Sequence, residues 1–147
     1  MRVSEAALAL ITRVNPLGKT EYLTQWNEKW QAYSLIGGHR EDGESFRDCC
    51  IREIEEELGL KRDVDFTLAD RPERPTYEYT AFSKSAQEVT CYQVELFSAR
   101  IARSAMTAIE AIHDIRWLTV GEIQHRQTST GRTVSEQIAI ILQHLGD

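Results

Sequence analysis

The chain has 147 residues, 41% of them hydrophobic and 27% charged, with a formal net charge of −6. This is the composition of one soluble globular domain with a single core. The acidic balance argues against a nucleic-acid duplex or an anionic membrane as main partner, and a small anionic substrate would need a metal or a local basic patch to offset the field. Cys49, Cys50 and Cys91 lack zinc-type spacing and fit a reducing, cytoplasmic setting. No stretch approaches the roughly 18 apolar residues of a membrane span, and the apolar run 6–11 is too short for a signal peptide.

In chain order, "SEAALALITRV" predicts a strand and "NPLGKT" a turn. "EYLTQW" and "WQAYSLI" predict further strands. Glycines 37, 38 and 43 mark a loop, and a helix follows it. Ser45 with Asp48 three positions on is a capping pattern at its start, and Gly59 before Leu60 is a left-handed stop at its end. Phe46, Cys50, Ile54 and Leu58 form its apolar stripe. "DFTLA", "TYEYTAFS", "EVTCYQVELFSARIA" and "DIRWLTV" predict strands. "VSEQIAIILQHL" predicts an amphipathic helix with Ile138, Ile141 and Leu142 toward the core. Helices and strands are interspersed without a regular βαβ rhythm, which favours an α/β or α+β fold with a mixed sheet.

The helix ends in "REIEEELGL", with four glutamates in five positions. Like charges at i,i+4 cost a few tenths of a kcal/mol per pair, and the helix C-terminus disfavours negative charge. Glu53, Glu56 and Glu57 share one face by i+3 and i+4 spacing, while Glu55 points elsewhere. Either that face is solvated or a cation belongs there. Magnesium takes oxygen ligands and bridges one or two carboxylates to substrate phosphates, so three converging carboxylates suit it.

Within "GHREDGESFRDCCIREIEEELGL", Gly38 is followed by Glu44 after five residues and by Arg52–Glu53 after seven more. Ile54, Glu56–Glu57, Gly59 and Leu60 complete the pattern. This stretch resembles the signature of the Nudix hydrolases, Gx5Ex7REUxEExGU with U aliphatic, and every specified position matches. The resemblance implies a Nudix-like α/β/α sandwich with a mixed β-sheet, spanning 1–147 as a single domain. It implies Mg²⁺- or Mn²⁺-dependent hydrolysis within the pyrophosphate link of a nucleoside diphosphate joined to another moiety. Glu53, Glu56 and Glu57 are then metal ligands, and Glu53 or Glu56 doubles as the base. Arg52 and Glu44 orient loop and helix, and Gly37 and Gly38 allow close backbone approach to metal or phosphate. Many relatives have proline where this chain has Ile36, a difference in loop stiffness. The family often adds a carboxylate from a later loop, and Glu110, seven before Trp117, occupies a comparable place. The implied partner is a small-molecule nucleotide; a homodimer is common among relatives, though no residue here requires one. The alternative is a non-catalytic nucleotide-binding or sensor module of the same fold, and a structural interaction domain with surface acids is a further rival.

Other residues carry paired readings. Trp26, Trp30 and Tyr33 are candidates for base stacking, or ordinary strand aromatics of the core. Arg71, Arg74, Tyr77 and Tyr79 would meet a phosphate or base, or form a polar loop and strand. His39 and Arg40 flank the glycines, where they would touch phosphate or simply be exposed. Of these, Arg40 is assigned here to substrate binding. His113, near Glu110, is a candidate catalytic accessory. Cys49 and Cys50, mid-helix, read as structural and not as nucleophiles.

Overall fold

The computed structural model describes residues 1–73 and 77–145. Arg74, a candidate phosphate or base contact, and Thr76, the first residue of the expected "TYEYTAFS" strand, lie outside them. The described elements run β1 (Arg2–Leu10), β2 (Thr12–Val14), β3 (Thr20–Asn27), β4 (Ala32–Leu35), β5 (Gly37–His39), α1 (Phe46–Leu58), β6 (Phe66–Leu68), β7 (Tyr77–Ser83) and β8 (Glu88–Ile101). After these come α2 (Met106–Glu110), β9 (Ile115–Thr119), α3 (Val120–His125) and α4 (Glu136–Leu145). The mixed α/β class expected from the pattern is observed.

The chain divides into two compact units, 1–9 with 37–102 and 10–36 with 103–147. The first is built on a sheet ordered β5-β1-β8-β6, with β7 also paired to β8. The pairs β1–β5, β6–β8 and β7–β8 are antiparallel. Ala7, Val94, Leu96, Phe97, Phe66 and Leu68 are buried here. In the second unit β3 is central and antiparallel to β2, β4 and β9. Leu23, Leu118, Ile109, Ile123, Ile138 and Ile141 are fully buried in it, and Leu142 is half-buried.

Local chemistry explains most of these elements. The "NPLGKT" turn closes because Asn15 Oδ1 accepts from the Leu17 and Lys19 amides at 2.9 and 3.0 Å, an Asx-type turn. α1 starts at Ser45, whose side chain accepts from the Asp48 amide at 3.0 Å. It stops at Gly59, in the left-handed region at φ 65°, whose N–H returns to the Glu55 carbonyl. Cys50, Ile54 and Leu58 are buried as the stripe predicts, Phe46 is half-buried, and Cys49 and Ile51 widen the buried face.

Three sequence expectations are corrected. The glycines at 37 and 38 are strand, not loop: β5 pairs Leu8 with Gly37, Ala7 with Gly38 and Ala6 with His39. "DIRWLTV" stops being strand at Thr119, whose side chain and Glu122 form a reciprocal cap that turns Val120 into the start of α3. Glu110 ends the short helix α2 instead of lying in a loop.

Candidate functional site

β5 packs against α1 and sets glycine backbone beside glutamate side chains. A Cβ built on Gly38 would lie 2.4 Å from Glu53 Oε1, so only glycine leaves room for that carboxylate. Gly37 sits at φ +150°, and a Cβ there would meet the Ala7 carbonyl oxygen at 2.2 Å. Its N–H donates to Glu57 Oε2 at 3.2 Å. The close approach required of the glycines is therefore an approach to two glutamates.

Glu57 and Glu53 carboxyls interact directly, and Glu57 is pushed up to about 8, first by burial and then by the charge of Glu53. Bringing a second carboxylate to a half-buried one disfavours ionising both. Glu56 is 60% exposed, and its Oε2 lies 3.3 Å from Arg52 Nη1, the same nitrogen that reaches Glu53. Among the described residues no group of three His, Cys, Asp or Glu side chains is gathered closely enough to hold a metal ion. Glu57 thus meets Glu53, and Glu53 and Glu56 share Arg52 Nη1. Glu55 points away as expected, paired with Arg62 at 2.5 Å.

Arg52 ties the cluster together. Its Nε donates to Glu44 Oε2 at 2.8 Å and its Nη2 to Glu44 Oε1 at 3.0 Å, a two-pronged pair whose planar match is specific to arginine. Nη1 reaches Glu53 Oε1 at 3.1 Å, and Nη2 also reaches the His39 carbonyl at 3.1 Å. The Arg52 bond holds Glu44 down to about 2, helped by the Glu41 backbone N–H. Cys49 packs inside this frame, its Sγ 3.4 Å from the Gly38 carbonyl, and burial raises its thiol to about 11. Burial raises Cys50 further, so neither thiol is a ready nucleophile.

The NUDIX domain family model matches residues 5–138. The chain belongs to this family. A search of curated proteins gives no match. Among solved structures, the Nudix domain is similar to a C. elegans Ap4A hydrolase, with 16% identity, 98% of this chain and 96% of the other covered, and a TM-score of 0.62. It is similar to the M. smegmatis Nudix hydrolase RenU at 16% identity, 97% and 84% coverage and a TM-score of 0.57. Shewanella oneidensis NrtR in complex with a 27mer DNA is also similar, at 12% identity, 95% and 59% coverage and a TM-score of 0.65. At these identities the likeness is one of fold.

The remaining sequence candidates of this Nudix domain fall as follows. Arg40 is engaged by protein: its terminal nitrogens donate to Glu5 Oε1 and to the Glu44 carbonyl, each at 2.8 Å. His39 Nδ1 lies 3.2 Å from Ser4 Oγ. Glu110 is exposed in the second unit. His113 is 95% exposed beside Asp114. Tyr33 is buried, edge-on to Trp26 at 5.1 Å, and Arg132 lies 3.8 Å over the Trp26 ring. Trp30 is exposed. Arg71 is exposed, and Tyr79 stacks on Tyr92 at 5.0 Å. Sequence reasoning missed Glu5, whose only signal was an acid immediately before the apolar run 6–11.

Proposed function

We propose that this Nudix domain is a divalent-metal-dependent pyrophosphohydrolase, cleaving the diphosphate of a nucleotide joined to a second moiety. What supports it is the packing of the Glu53 carboxylate onto Gly38 with Glu57 on the Gly37 N–H, inside a complete family signature. Carboxylate oxygens are the donors that Mg²⁺ or Mn²⁺ prefers, so the donor set fits. Glu53, Glu56 and Glu57 would hold the cation. When bound, the cation supplies charge neutralisation on the diphosphate oxygens. Glu53 or Glu56 takes a proton from the attacking water at a carboxylate oxygen. The water oxygen bonds to one phosphorus while that phosphorus loses the bridging oxygen, which leaves on the other phosphate. Arg52 and Glu44 keep the acidic turn of α1 in register with β5. The two units are read together as one domain, since the family match runs through both.

A panel of nucleoside triphosphates, ADP-ribose, dinucleoside polyphosphates, NADH and nucleotide sugars, each with Mg²⁺ and with Mn²⁺, tests this by product identity. Cation-dependent cleavage between phosphorus atoms is expected for one class. A sensor module of the same fold would bind a member of the panel and turn over none.

A further inference from the structure

We propose that Arg40 and Glu5 form a positioning pair for the catalytic glutamates, which rests on the hydrolase reading above. Arg40 stands in the six-residue loop 40–45 between β5 and α1. Glu5, on β1, grips it twice. The Glu5 carbonyl accepts from the Arg40 amide at 2.9 Å, and the Glu5 carboxylate accepts from Nη2 at 2.8 Å. The other terminal nitrogen, Nη1, donates to the Glu44 carbonyl at 2.8 Å, folding the loop back on itself.

Glu44 is therefore fixed at both ends. Arg40 holds its carbonyl, and Arg52 together with the Glu41 amide, 3.1 Å away, holds its carboxylate. Arg52 in turn reaches Glu53 and Glu56 at 3.1 and 3.3 Å. A continuous run of charge-assisted bonds thus links the sheet, through Glu5, Arg40, Glu44 and Arg52, to two of the proposed catalytic carboxylates. The Phe46 ring, 5.5 Å from the Arg40 guanidinium carbon, backs the first link.

The guanidinium accepts a cost in this pose. Its Nε is buried without a hydrogen-bond partner, so the two terminal bonds, not full satisfaction, set the geometry. The pair is also partly exposed, with side-chain exposures of 24% and 34%, and such ion pairs contribute little to global stability. Catalysis is less forgiving, since misplacement by about 1 Å can cost about 10²-fold. Stability and turnover should therefore separate when the pair is broken.

The test is steady-state kinetics with the best substrate of the panel on wild type, Arg40→Ala, Arg40→Lys, Glu5→Gln and the double variant Arg40→Ala/Glu5→Gln, with thermal melts alongside. Arg40→Ala should lower kcat at least about tenfold with KM within about threefold and the melt nearly unmoved. Arg40→Lys should recover part of the loss, because an ammonium can keep one of the two bonds. The double variant should be no slower than Arg40→Ala alone, the signature of one shared pathway. A raised KM with unchanged kcat would make Arg40 a substrate contact and overturn the proposal. Unchanged kinetics in Arg40→Ala, or additive losses in the double variant, would overturn it too. If Arg40→Ala does not fold, Arg40→Lys and Glu5→Gln carry the same kcat-against-KM criterion. A wild-type protein inert on the whole panel would sink the hydrolase reading and this proposal with it, whereas an active wild type with an unaffected Arg40→Ala sinks the proposal alone.

Discussion

Glu44 accepts two bonds from Arg52 and one from the Glu41 amide, and the first of these causes is the largest reason its pKa is held down to about 2. The sign of the consequence follows. Because the folded value lies below the unfolded one, the unfolded chain binds more protons in acid. The pair's contribution is complete above the unfolded carboxylate range, near pH 4.5, and fades as pH falls toward about 2. Wild type should therefore lose melting temperature steeply between about pH 4.5 and 3, and Glu44→Gln should show a shallower fall over that window. Parallel slopes would mean that Glu44 gains no special stabilisation from Arg52. At this scale the sequence was readable where spacing carries the information. Helical periodicity alone sends Glu55 away from Glu53, Glu56 and Glu57, and the structure pairs it with Arg62. It was unreadable where direction matters. A letter for Arg40 does not say that a glutamate 35 residues earlier will capture its guanidinium, because strand pairing of β1 with β5 creates that neighbourhood.

α1 and β5 contrast in how far a segment announces itself. Both ends of α1 were legible, since Ser45 and Gly59 satisfy orphan backbone groups locally. β5 was not, because a Gly-Gly pair weakens strand propensity and reads as loop; its strand character comes from β1 across the ladder. α2 has no side-chain cap and gave no start signal, whereas the Thr119–Glu122 cap of α3 was present in the letters and was overlooked. Three alanine substitutions separate the roles of the glycines. Gly38→Ala meets only the mobile end of Glu53, at 2.4 to 3.0 Å, so the fold should survive while kcat falls about 10²-fold as that carboxylate is displaced. Gly37→Ala meets the Ala7 and Leu8 backbone and should lose stability outright. Gly18→Ala has φ +79° and open space, so it should cost only about 1 kcal/mol of backbone strain and leave turnover alone. Urea melts and kinetics on the three proteins check this; a fully active Gly38→Ala would show that Glu53 tolerates displacement.

Across the whole molecule, the match over residues 5–138 means that the signature helix and long segments on both sides of it belong to one family pattern. The 23-residue signature and the interspersed helix and strand pattern made the family and fold class legible. The division into two sheets was not, since long-range pairings such as β3 with β9 join segments about ninety residues apart. Similarity to NrtR, solved with a 27mer DNA, shows that this fold occurs in a protein bound to DNA; the net charge of −6 gives this chain little electrostatic attraction for a duplex. Among the described residues no helix is long and apolar enough to cross a membrane. Whether the acidic turn of α1 holds a cation can be tested without knowing the substrate. Mn²⁺ titrated into wild type and into the Glu53→Gln/Glu56→Gln/Glu57→Gln variant, followed by electron paramagnetic resonance of the free ion, measures binding directly. Wild type should take up Mn²⁺ with Mg²⁺ competing for the same site, and the triple variant should bind at least about tenfold more weakly, a loss of about 1.4 kcal/mol. Equal uptake by the two proteins, or none by wild type, would show that these glutamates do not hold the cation.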